Sequence, residues 1–68
     1  MDTEFQSTME EIIASIKEAG YEPYDQLYGY ITTGKDEYIT RIGNAREKIK
    51  QLNWLAVKEY VEKMEGSK

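Results

Sequence analysis

The chain contains no cysteine and no histidine. No disulfide can close it, and the usual thiolate and imidazole ligands of a structural zinc site are missing. The same absences leave Ser7, Ser15 and Ser67 without an imidazole to activate them as nucleophiles. The glycines form neither the GxGxxG nor the P-loop pattern that cradles phosphate. No apolar run approaches the ~20 residues of a membrane span. The first residues, MDTEFQ, carry no basic segment ahead of an apolar one. These absences predict a cytoplasmic protein with no catalytic residues, no cofactor, no metal and no membrane insertion.

What is present is modest. Sixty-eight residues make one domain, 1–68. A core of that size supplies roughly 3–5 kcal/mol, so stability must come from tight helix packing or oligomerisation. An apolar fraction of 40% is enough for such a core. The net charge of −4, from thirteen acids and nine bases, argues against nucleic acid as the main partner, because neutralising phosphates needs a basic field.

Hydrophobic spacing reads as all-α, a small bundle of about four short helices. Ser7 and Glu10 form a capping-box pattern that predicts a first helix over Thr8–Ala19, with Met9, Ile12, Ile13 and Ile16 as its apolar face. Gly20 is its stop. Pro23 suits the first position of a second helix, whose stripe is Leu27, Tyr30 and Ile31 and whose end is Gly34. Gly29, inside that helix, is either merely tolerated or marks a close approach by another helix. Residues 35–43 are either one short helical turn or an extended connection around Tyr38, Ile39 and Ile42. Asn44 is placed to cap a third helix over Ala45, Ile49 and Leu52. Asn53 is placed to cap a fourth bearing Leu55, Ala56, Tyr60, Val61 and Met64, unless the last two helices run together. Residues 1–6 and 65–68 are expected to be flexible. No period-2 strand pattern occurs.

Three groups of residues are candidates for function. Tyr24, Tyr28, Tyr30 and Tyr38 exceed what one small bundle can bury. They are either partly exposed core or the contact surface of a homodimer, since tyrosine is enriched at interfaces. Arg41, Arg46 and Lys50 form a basic stretch suited to a partner's carboxylate or phosphate, or simply a solvated helix face. Read as a nucleic-acid-binding helical module, the same Arg41–Lys50 stretch gives the alternative function. Thr3, Ser7 and Thr8 lie in an acidic N-terminal segment open to a kinase, although Ser7 also reads as a plain cap. The adjacent pairs Glu10–Glu11 and Asp36–Glu37 point in different directions on a helix and read as solvated faces.

Gly20, Tyr21, Pro23, Gln26, Gly29, Tyr30, Gly34, Tyr38, Ile39, Arg41, Ala45, Arg46, Ile49 and Leu52 keep, without a gap, an order and spacing that resembles the IreB family of small regulatory phosphoproteins of Gram-positive bacteria. The segment Val57–Val61 is also similar to the family's C-terminal region. The chain departs from the family pattern at Thr40, Ile42 and Lys50–Gln51, where the family carries proline, histidine and a double arginine. Its N-terminal segment is also shorter. The resemblance implies a helical, dimeric, cytoplasmic protein without catalytic activity. It implies a substrate of a transmembrane Ser/Thr kinase, engaged in control of cell-envelope synthesis. Family phosphorylation falls on threonines ahead of the first helix, and family arginines matching Arg41 and Arg46 are candidates for partner contact.

Overall fold

Local capping signals and a few long-range contacts divide the chain into four helices. The computed structural model describes residues 3–66, without the side chains of 65 and 66. The helices are α1 (Thr3–Glu18), α2 (Pro23–Thr33), α3 (Ala45–Lys50) and α4 (Trp54–Gly66). Two 3-10 turns, Asp36–Tyr38 and Ile42–Asn44, join α2 to α3. No strand occurs among the described residues, so the protein is all-α as its spacing predicts.

α1 begins earlier than expected. Ser7 is an exposed residue of its second turn, not its cap, and residues 3–6 are helical. The cause is tertiary: Phe5 packs edge-on against Tyr60 of α4, with ring centroids 6.1 Å apart. That contact gives the first turn an apolar partner, which an isolated helix end lacks. Residues 65 and 66 likewise continue α4. The expected flexibility of Met1, Asp2, Ser67 and Lys68 lies outside the described residues.

The predicted stops hold. Gly20 takes φ +89°, the Gly20 N–H donates to the Lys17 carbonyl at 2.9 Å, and the Tyr21 N–H donates to the Ile16 carbonyl at 3.1 Å. This paired pattern closes α1 as a Schellman motif. Pro23 opens α2 while the Glu22 carboxylate accepts from the Tyr24 N–H at 3.4 Å. Gly34, at φ +75°, donates to the Tyr30 carbonyl at 2.7 Å. Asn53 caps α4, its Oδ1 accepting from the Ala56 N–H at 3.2 Å. α3 and α4 stay separate because Gln51 and Leu52 donate to carbonyls three residues back, which tightens and ends α3.

Asn44 does not cap α3 with its side chain, contrary to expectation. Gly43 and Asn44 both sit in the left-handed region, at φ 63° and 61°. There Asn44 spends its backbone N–H on the Arg41 carbonyl at 3.1 Å and turns the chain into α3.

The core joins Met9, Ile12 and Ile16 of α1, Leu27, Tyr30 and Ile31 of α2, Ala45 and Ile49 of α3, and Val57 and Val61 of α4. α1 packs mainly on α3 and the turn before it, and α2 mainly on α4. Leu55, expected on the apolar stripe of α4, is instead 62% exposed, and Val57 is buried in its place. Two residues along a helix turn the side chain by ~200°, so Leu55 cannot share the face of Val57 and Val61. No described helix is long and apolar enough to cross a membrane.

Candidate functional site

Residues 35–44 pass as a strap from α2 to α3, and both helices hold them. On the α2 side, a Cβ at Gly29 would lie 2.7 Å from Cδ1 and 2.9 Å from Cγ of Tyr38. The mid-helix glycine therefore makes room for a tyrosine ring, not for a second helix. One turn earlier, Gln26 Oε1 accepts a hydrogen bond from the Thr40 N–H at 2.9 Å. On the α3 side, Arg46 Nε donates to the Ile39 carbonyl at 3.0 Å and Nη2 to the Glu37 carbonyl at 3.3 Å. The Arg46 backbone N–H donates to the Thr40 carbonyl at 3.1 Å. Both backbone groups of Thr40 are thus taken, one by each neighbouring helix. Ile39, between them, is extended and fully buried.

The strap delivers Arg41 to the surface. Arg41, Arg46 and Lys50 line one depression of about 330 Å³ together with Asp36, Asn44 and Glu47. The three cations predicted to act together are therefore brought together, in different states. Arg46 is half-buried and engaged with the strap. The Lys50 ammonium lies 3.4 Å from Glu47 and 3.8 Å from Asp36. Arg41 is exposed, and its side chain has no ion pair or hydrogen bond among the described residues. Exposed pairs like those of Lys50 contribute about 0–1 kcal/mol, so an incoming anion can exchange with them. Lys48 turns away and pairs with Glu11 of α1 at 3.1 Å.

The tyrosines separate. Tyr24 and Tyr28 stack at 5.7 Å between centroids and line a depression of about 500 Å³ between α2 and α4, with Ile31, Lys58, Val61 and Glu62. Tyr28 and Tyr38 are about half exposed. Tyr30, also named for a dimer surface, is only 7% exposed and belongs to the core cluster. Its position three residues after Leu27 puts it on the core face, a signal readable from spacing alone. Burial, and secondarily the Asp36 carboxylate, hold the Tyr30 phenol above its ordinary pKa.

Thr3 and Ser7 are exposed on α1. Thr8 is half-buried, and its hydroxyl donates to the Glu4 carbonyl at 2.9 Å. Sequence reasoning missed Gln26, because nothing near it in the chain marks the Thr40 amide as its partner. It also missed the exposed pair Trp54 and Leu55 at the start of α4, which being out of step with Val57 and Val61 would have revealed for Leu55.

The family model described as IreB regulatory phosphoprotein matches residues 1–64, nearly the whole chain.

Proposed function

The chain belongs to the IreB family of regulatory phosphoproteins, and from that premise we propose that it is a non-catalytic adaptor that regulates by protein–protein contact through the Arg41 surface. The observation that carries this reading is the state of Arg41. It is a guanidinium without a partner among the described residues, on an otherwise acidic protein, at the rim of a depression whose other cations are already engaged. An unpaired, exposed arginine suits a partner's carboxylate or phosphate, which it can bind through two parallel hydrogen bonds. Arg46 and Lys50 complete the surface.

The proposal extends to a cytoplasmic bacterial protein under a Ser/Thr kinase, within control of cell-envelope synthesis. Of the three candidate hydroxyls, Thr3 is the best placed, because it is exposed in the first described turn of α1, where phosphate is electrostatically favoured. Ser7 is exposed but lies further into the helix, and Thr8 must first give up its bond to Glu4. Mass spectrometry after incubation with the kinase checks this order, and phosphate on none of the three would remove the kinase link. The proposed homodimer uses Tyr24, Tyr28 and Tyr38. Sedimentation analysis checks it, and a folded monomer at high micromolar concentration counts against it.

The central test is a binding comparison. Immobilised wild type and Arg41→Ala are exposed to the same lysate of the source cell, and bound proteins are quantified. The expected result is loss of one specific protein by at least ~10-fold with helical content unchanged, the scale of one charge-assisted contact. Equal binding by both chains would sink the proposal.

A further inference from the structure

Gln26 and Arg46 hold neighbouring backbone groups of the strap from two different helices. Gln26 takes the Thr40 N–H, while Arg46 takes the carbonyls of Glu37 and Ile39 through its side chain and that of Thr40 through its backbone N–H. Thr40 immediately precedes Arg41, and the Arg41 carbonyl is itself fixed by the Asn44 N–H at 3.1 Å. The backbone just before Arg41 is therefore tied to α2 and α3, and the Arg41 carbonyl closes a turn within the strap, while its side chain has no partner among the described residues. A strap of non-repeating backbone without such ties would sample many orientations, each of which a partner would have to select against.

We infer that Gln26 and Arg46 are positioning residues that clamp the strap so that Arg41 meets its partner in one orientation. The inference rests on the reading that the Arg41 surface binds a partner, and it changes the part played by Arg46. The guanidinium Nε and Nη2 of Arg46 face inward to the strap, so its contribution to binding passes largely through Arg41. Gln26, on a different helix and absent from the basic stretch, joins the site by the same route. Pre-organisation of this kind lowers the ordering cost of binding without adding a contact.

The test uses the full chain with Gln26→Leu, which removes the acceptor, and Gln26→Glu, which keeps it. Arg46→Lys and Arg41→Ala complete the set. Two quantities are measured: amide hydrogen exchange at Thr40, and retention of the protein that wild type captures from the lysate. In Gln26→Leu, exchange at Thr40 is expected to rise about fivefold or more, the loss of one ordinary hydrogen bond. Amides of α1 should stay protected. Retention should fall in Gln26→Leu and in Arg46→Lys, whose single ammonium lacks the rigid fork that places two nitrogens on two carbonyls, and should recover in Gln26→Glu. A purely structural role would leave retention unchanged at equal helical content. Unchanged exchange at Thr40, or full retention by Gln26→Leu when Arg41→Ala has lost the partner, overturns the inference alone. Full retention by Arg41→Ala overturns the functional reading itself and the inference with it.

Discussion

Ile39→Ala is expected to unfold much of the protein at room temperature, whereas Ile42→Ala, three residues on, leaves stability nearly unchanged. Both isoleucines lie outside the α-helices, in the segment that joins α2 to α3. Ile39 is fully buried against the common core, and Ile42 is 46% exposed. Truncating a buried isoleucine to alanine costs about 2–5 kcal/mol in lost transfer energy and residual cavity. A domain of this size has roughly 3–5 kcal/mol in total, so the change consumes most of it. The Ile42 change removes surface that water already reaches. Urea denaturation followed by circular dichroism separates the two. A loss below about 1 kcal/mol for Ile39→Ala would mean that the strap is an ornament on the bundle rather than a part of its core.

Gly43→Ala is expected to be more damaging than the same substitution at Gly34. Both glycines have positive φ, at 63° and 75°. An alanine in that region costs about 1–2 kcal/mol from contact of its Cβ with the backbone. At Gly34 nothing else stands within 4 Å of the added atom. At Gly43 the new Cβ runs into the side chain of Ser15, which is 9% exposed on α1. Overpacking of this kind adds about 1–3 kcal/mol. The difference between the two substitutions is therefore the contact between α1 and the strap. A cycle with Ser15→Gly isolates it, since removing the Ser15 side chain should recover that part and leave the conformational cost in place. Equal losses at Gly34 and Gly43, with no coupling to Ser15, would remove the steric account. The same contact explains why Gly43 falls where the chain turns into α3: only a residue without Cβ lets the strap lie directly on α1.

The positions that carry the family resemblance divide along physical lines. Gly20 and Gly34 supply left-handed stops, Pro23 opens α2, and Tyr30, Ile39, Ala45 and Ile49 fill the core. Gly29 and Tyr38 form one contact, with the ring lying where a side chain would be. Gln26 and Arg46 hold the strap. Arg41 has no such internal role among the described residues, which is why it carries the proposed partner contact.

Much of the architecture was legible because its causes are local. A capping side chain, a proline at the first helical position, a left-handed glycine and an apolar stripe at three- and four-residue spacing act within one or two turns. They determined the class of fold, the ends of α1 and α2, the cap of α4 and most of the core. They also placed Arg41, Arg46 and Lys50 near one another. The start of α1 was misread because it depends on Phe5 meeting Tyr60, at the opposite end of the chain. The roles within the basic stretch were hidden for the same reason. Arg46 is engaged by carbonyls seven and nine residues away, and Thr40 by a glutamine fourteen residues away. Sequence spacing shows which side chains can share a helix face, but a hydrogen bond between a helix and a non-repeating strap has no period. Only the folded arrangement could distinguish the arginine that holds the strap from the arginine left free to meet a partner.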